Sequence, residues 1–423
     1  MECVIYVKIF ERYHDAIYII ERIKLEDLCS GGEENAMPEL KINIRTEILD
    51  WIIENASFDE FRHEFKEDIA LWKSGVKSPT FNQLERFSKS TNIPFGYFFL
   101  TNPPTEKIGL LEYRTVDSLK LEHPSRNLVD TIYEMESIQE WMKEYLISTE
   151  FEELSYVGSL REVNDVARIA HLIRIELQID EKWFLSSSDS WDSFKLLRNR
   201  LENIGVLVMM SGIVGANTHR SLDISEFRAF TLIDKYAPLI FINANDSYSG
   251  RLFSLIHEMV HIWIGENSLY NVNQQHINNI NKIEVLCNAV TAEILVPLNQ
   301  FQSVWHQFTS GDLDRAILEI SKYFRCGITI IARRALDCGF ISKETYTSIS
   351  QSAASRFIDR MNNPGSGGNY YQTLKTRIDN RLISALNESV FEGKTSFSKA
   401  YRLTNTNRKT FSELVRMTTG SSL

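Results

Sequence analysis

The chain has 423 residues, enough for about two to four domains of ordinary size. With 43% hydrophobic and 24% charged side chains, it has the composition of a folded globular protein and not of a disordered or fibrous one. A formal net charge of −10 excludes a protein coated in nucleic acid along its length, while leaving room for one local basic face.

The five cysteines, Cys3, Cys29, Cys287, Cys326 and Cys338, contain no CxxC pair, so neither a zinc finger nor a disulfide framework is expected, and a reducing compartment fits. The longest uncharged apolar stretch, 205–218, is too short to span a bilayer and is broken by glycines. Charges at Glu2, Lys8, Glu11 and Arg12 interrupt any secretory leader. The expectation is a cytoplasmic protein with no membrane partner. Two readings stay open for residues 1–36: part of the native chain, or a non-native extension ahead of a candidate start at Met37. Met37 directly precedes Pro38-Glu39-Leu40, and the Gly31-Gly32-Glu33-Glu34 run is what a purine-rich ribosome-binding site would encode.

From 37 to 105 the pattern predicts an all-helical unit. A first helix covers Ile44 to Ala56, and Ser57 caps a second with Glu60 at the capping-box position. Then follow Lys66 to Lys73, the turn Ser74-Gly75, a helix behind Pro79 and Thr80, and a short helix from Pro94 to Leu100. The order of short helices with Trp72, Gly75 and Pro79 resembles the helix-turn-helix of XRE-type repressors. Glu67 and Asp68 occupy the stretch that would enter the groove, and phosphate and most base edges repel them. Two readings stay open for this unit: a DNA-binding domain, and a helical interaction domain.

Pro103-Pro104 break the chain before a helical connecting region, 106–190. Its long amphipathic helix carries Leu128, Ile132, Met135, Ile138, Met142 and Tyr145 at three- and four-residue steps, a packing stripe. Helices over Val163 to Leu177 and Trp191 to Ile204 lead into three strands, Gly205 to Met210, Arg228 to Ile233 and Leu239 to Ile242. Leu239 to Asn243 is the candidate for an edge strand that pairs with extended substrate, although its apolar run also suits a central strand.

The segment His257-Glu258-Met259-Val260-His261 lies in an apolar, helix-compatible run from Leu252 to Ile264. Two histidines four apart sit about 40° from each other on a helix, so both imidazoles can reach one metal ion. Glu258 stands beside the first of them, where a carboxylate can act as general base. A third ligand is expected from the helix Lys282 to Pro297, which holds Glu284 and Glu293 about 180° apart around its axis. Glu284 shares a polar stripe with Asn288 and Thr291, and Asn288 one turn on can hydrogen-bond a ligating carboxylate, so Glu284 is the expected ligand. Glu266, just past the helix, is the alternative. Two His and one Glu leave a tetrahedral Zn²⁺ one open position, the arrangement of a hydrolytic site. Cys287 reads as a small core residue, and His306, Tyr270 and Arg251 are candidate oxyanion donors.

Further helices are expected over Phe301 to His306, Asp312 to Phe324 and Ile328 to Cys338, the last with Arg333-Arg334 facing out. The region bearing this site is placed at 191–350. A joint, Asn362-Asn363-Pro364-Gly365-Ser366-Gly367-Gly368, then introduces a basic module within 351–423. From Gly365 onward there are nine basic and four acidic residues, and Ser396 to Leu403, a Thr404 to Asn407 turn and Arg408 to Met417 resemble a second helix-turn-helix-like unit, with two readings open: solvated charge on a packing domain, and a surface for nucleic acid or an acidic partner.

Taken in order, the helical XRE-like unit, the small sheet, the His257–His261 segment and the helix bearing Glu284, Cys287, Asn288, Glu293 and Pro297 resemble the ImmA/IrrE metallopeptidases, in the long form fused to an XRE domain. Pro94 to Leu100, Glu112-Tyr113-Arg114-Thr115 and Phe227-Arg228-Ala229-Phe230 followed by Pro238 to Asn243 strengthen the likeness, which covers about 38 to 420. The resemblance implies a mainly α fold with a small β-sheet (α+β), built on a gluzincin-like core with a helix-turn-helix domain before it and a helical extension after it. It implies zinc on His257, His261 and Glu284, with Glu258 as general base. It also implies a regulatory protein, such as a repressor, as substrate, in a stress, mobile-element or toxin–antitoxin setting, with DNA and a toxin as candidate partners. The alternative reading is a DNA-binding transcriptional regulator or antitoxin whose peptidase domain acts mainly as a sensor.

Overall fold

The structure, a computed structural model, describes residues 41–56, 64–106, 124–270, 282–308, 312–362 and 370–420. The extension at 1–36 with Met37, the Ser57–Glu60 capping box, the Glu112–Thr115 segment and most of the joint beyond Asn362 lie outside the described residues. The chain divides into two compact units, 1–107 and 108–423. No helix among the described residues is long and apolar enough to cross a membrane.

In the first unit the described helices are α1 (Thr46–Asn55), α2 (Lys66–Lys73) and α3 (Phe81–Thr91), followed by a 3₁₀ turn at Phe95–Phe99. Thr80 caps α3, and Gln83 returns the hydrogen bond to complete a capping box. Ile48, Leu49 and Ile52 from α1 meet Phe65, Trp72, Leu84, Phe87 and Phe98 in one apolar core. The acid-bearing start of α2 is exposed at Glu67, and Asp68 pairs with Lys77.

The second unit is a small sheet with helices on both faces. Helices α4 (Arg126–Ser148), α5 (Val166–Glu176) and α6 (Ser190–Ile204) precede strand β1 (Leu207–Ser211). Strands β2 (Ala229–Leu232) and β3 (Leu239–Asn243) come next, then α7 (Tyr248–Ile264) and β4 (Ser268–Tyr270). The remaining helices are α8 (Lys282–Leu295), α9 (Leu298–Phe308), α10 (Leu313–Tyr323), α11 (Ile328–Asp337), α12 (Lys343–Asn362), α13 (Tyr370–Arg377), α14 (Asn380–Phe391), α15 (Phe397–Thr404) and α16 (Arg408–Thr419). The fold is therefore mainly α with a small sheet.

Strand order is β1-β3-β2-β4, with β1 and β3 parallel and the other pairs antiparallel. This corrects the edge-strand expectation for Leu239 to Asn243. That strand is central and fully buried, which is why it is apolar at Leu239, Ile240, Phe241 and Ile242 in succession. The edge beside α7 is β4, a three-residue strand too short to announce itself by pattern.

Alternation along the strands sorts the two faces. Val208, Met210, Ala229, Ile240 and Ile242 join a core with α6, α7, α8 and the helices after them. Leu207, Met209, Phe230, Leu232, Leu239 and Phe241 point the other way, onto α4 and α13 to α16. The expected stripe of α4 is buried there, from Leu128 through Met142. Thus the helices after the joint do not close around a core of their own; Leu382, Ile383, Leu386, Phe411 and Leu414 cover the sheet. Buried polar groups fasten them. Asp379 accepts the Val208 N–H at 2.9 Å, and Arg198 donates to the carbonyls of Val208 and Ile378.

One further expectation is corrected. Arg333 is exposed, but Arg334 turns inward and pairs with Glu293, also donating to the Val296 carbonyl. A charged residue on α11 can be drawn inside because its partner on α8 is sheltered with it, so neither charge is left alone.

Candidate metal centre

Helix α7 is built to hold two histidines rigidly. Ser247 caps its start, and every residue from Ser254 to Ile264 is buried. Gly265 ends it in the left-handed region at φ 82°, its N–H bonded to the His261 carbonyl. A Cβ at Gly265 would come within 2.8 Å of the Gly158 Cα, so both the turn and the close approach of the 158 backbone call for glycine.

The i, i+4 spacing brings His257 Nε2 and His261 Nε2 to 3.3 Å from each other. Helix α8 packs alongside, and Glu284 in its first turn reaches both rings: Oε2 lies 3.2 Å from His257 Nε2 and Oε1 lies 3.4 Å from His261 Nε2. Among the described residues these three side chains form the one cluster whose donor atoms lie within 4.8 Å of one another. Glu293 is spent on Arg334, and Glu266 does not join the cluster. The histidine side chains are 0% and 2% exposed and that of Glu284 is 21% exposed, so solvent reaches the cluster on the Glu284 side.

This donor set fits a divalent cation. Two imidazole nitrogens facing each other at hydrogen-bond distance share at most one proton, and a cation between them and the carboxylate satisfies all three donors. Burial works against the charged form of Glu284, yet the two histidines prevail and hold its carboxyl well below the usual range. For His261, burial works against the charged ring, but Cys287 and Glu284 prevail and raise it.

Glu258 is fully buried beside the cluster. Thr231 on β2 donates to its Oε2 at 2.6 Å, and Ser268 on β4 stands 3.5 Å from Oε1. Burial pushes the Glu258 carboxyl above the ordinary carboxylate range, opposed by the two histidines and by the Thr231 hydroxyl. The sequence pattern does not pick out Thr231 or Ser268. The available signal is Thr231 itself, a hydroxyl in an otherwise apolar strand, on the same face as Ala229.

Other expected neighbours fall differently. Asn288 does not hydrogen-bond Glu284; its Oδ1, like Thr291 Oγ1, is buried without a partner. Beside Glu284, the other residue of α8 that faces His261 is Cys287, whose thiol burial pushes up. Arg251 is occupied at the start of α7, donating to the Asp246 and Ala244 carbonyls over the Tyr248 ring. His306 is exposed and stands edge-on to Phe340. The Tyr270 side chain lies outside the described residues.

Residues 378–417, the helices that back the sheet, match the model of a domain of unknown function, DUF8813. No curated protein matches the chain, nor does any solved structure. Residues 201–336, which carry the whole sheet, α7 and α8, match the model of Peptidase M78, described as the IrrE N-terminal-like domain. The His-His-Glu cluster therefore lies in a segment similar to an ImmA/IrrE-type domain of the metallopeptidase class.

Proposed function

We propose that this chain is a zinc-dependent endopeptidase that cleaves a repressor or another regulatory protein. The observation that carries the reading is the convergence of His257 Nε2, His261 Nε2 and the Glu284 carboxylate beside a buried Glu258. His257, His261 and Glu284 would hold the ion, with nitrogen and oxygen donors of the kind zinc takes at open, hydrolytic sites. Bound there, zinc supplies a Lewis acid that acidifies water and polarises a scissile carbonyl.

The chain's own groups supply the rest. Thr231 fixes Glu258 Oε2, which leaves Oε1, with only the longer Ser268 contact, to take a proton from the attacking water. Glu258 then returns that proton to the leaving amine. Burial holds its pKa nearer neutrality than a surface glutamate's, which suits a group that must both accept and donate. An extended peptide adding to the β4 edge would run past Glu258, because Ser268 belongs to that strand.

Glu258→Gln removes the base and no ligand. It should keep its zinc and its fold while cleavage of a co-expressed regulator encoded at the same locus falls by about 10²- to 10⁴-fold. Undiminished cleavage by the glutamine variant would refute the mechanism.

A further inference from the structure

We propose that α15 and α16, on the far side of the sheet from the histidines, form a duplex-DNA-binding surface. The inference is independent of the peptidase reading. α15 ends at Thr404, Asn405 takes the left-handed conformation at φ 50°, and Asn407 caps α16 through a capping box with Thr410. Two helices joined by a three-residue turn, the first of the three left-handed, have the connection of a helix-turn-helix. Its inner side is packed: Ala400, Leu403, Phe411, Leu414 and Val415 are buried with α14.

The outer side is basic. Between Ser396 and Gly420 the sequence has five basic residues, Lys399, Arg402, Arg408, Lys409 and Arg416, against one acid, Glu413. Lys399 is half-buried and the other four are exposed. Glu413 is taken up by Arg416, and among the described residues Lys399, Arg408 and Lys409 form no ion pair. Glu134 of α4 also reaches the turn, where it accepts from Asn405. In a chain of net charge −10, such a concentration is local and not a general feature of composition.

Position decides what the charge is for. Arg408 and Lys409 occupy the first two positions of the second helix, where a helix-turn-helix presents side chains to the major groove. The N-terminal end of α16 adds its own partial positive charge in the same place. The first unit, whose helices resemble the same motif, has Glu67 and Asp68 at the equivalent start of α2. Charge complementarity with phosphate thus favours α16 over α2.

The test is fluorescence anisotropy of the intact chain with a labelled duplex of mixed sequence, across a series of salt concentrations. Wild type should bind. Arg408→Ala/Lys409→Ala should bind about tenfold more weakly, with a salt slope shallower by about two, since each lost phosphate contact releases about one fewer counterion. Arg408→Lys should largely retain binding, and Lys66→Ala/Lys77→Ala in the first unit should leave it unchanged. A matched melting temperature shows that each variant is folded. The proposal is overturned if the intact chain does not bind, or if the folded Arg408/Lys409 double variant binds as wild type does. It is also overturned if the first-unit pair abolishes binding, or if polyglutamate displaces the DNA at equal charge concentration, which would mark the surface as a site for an acidic protein.

Discussion

The two faces of the sheet are built from adjacent residues of the same strands, yet they are used differently. Toward α7 the strands present Val208, Met210, Ile240 and Ile242, and among them Thr231, whose hydroxyl holds a buried carboxylate. Toward α4 and α14 to α16 they present Leu207, Met209, Phe230 and Phe241, with the last two rings stacked at 5.0 Å. The first face buries His257, Glu258 and His261, groups whose desolvation costs stability; the second buries mainly apolar surface, with Asp379 and Arg198 as polar fasteners. By this contrast, the helices of 370–420 stabilise the scaffold on which the polar face can be held.

If so, removing residues 370–420 should have the largest effect. Each large apolar side chain left uncovered forfeits about 1.5–3 kcal/mol, and Leu207, Met209, Phe230, Leu239 and Phe241, which these helices cover, together amount to a large part of the roughly 5–15 kcal/mol typical of a domain. The truncated chain should lose its cooperative thermal transition and its near-ultraviolet circular dichroism. A truncation that melts like the full chain would show that the polar face stands without this support. For the same reason, substitutions and not truncations are the way to probe DNA binding.

On the polar face the expected pattern reverses. Thr231→Val should leave the melting temperature and zinc content close to wild type but lower the cleavage rate about tenfold, the value of one lost hydrogen bond to a charged group. Thr231→Ser should restore most of it. Equal activity of the valine variant would mean that Glu258 is oriented by packing alone.

The smallest effect concerns the polar fastener of the apolar face. Burial, reinforced by the nearby Glu202, pushes the Asp379 carboxyl up to about 6. A carboxyl whose folded pKa is raised binds protons more tightly when folded, so its contribution becomes more favourable as pH falls through about 6. Lowering the pH from about 7 to about 5 should therefore stabilise wild type relative to Asp379→Asn by about 1 kcal/mol, read from urea midpoints. A gap that stays constant or closes in the other direction would show that Asp379 remains charged across this range.

What is legible in the sequence is local. The spacing of His257 and His261 and the opposition of Glu284 and Glu293 are properties of single helices, and the structure brings the first three of these together. The pairing of strands is not legible, because strand order depends on partners far apart in the chain; hence the pattern suggests an edge at β3 and gives no sign of β4. Arg334 looks like an outward charge because Glu293, which draws it in, lies 41 positions earlier. Asn288 shares a stripe with Glu284, but sharing a helical face does not make a hydrogen bond; Cys287, next to it in sequence, is the residue that joins Glu284 at His261.

Metal content is the decisive measurement. Purified wild-type chain and Glu293→Gln should each carry about one zinc, while Glu284→Ala should carry little or none with its melting transition still cooperative. Zinc retained in full by Glu284→Ala, or lost only in Glu293→Gln, would contradict the assignment of His257, His261 and Glu284 as the metal site.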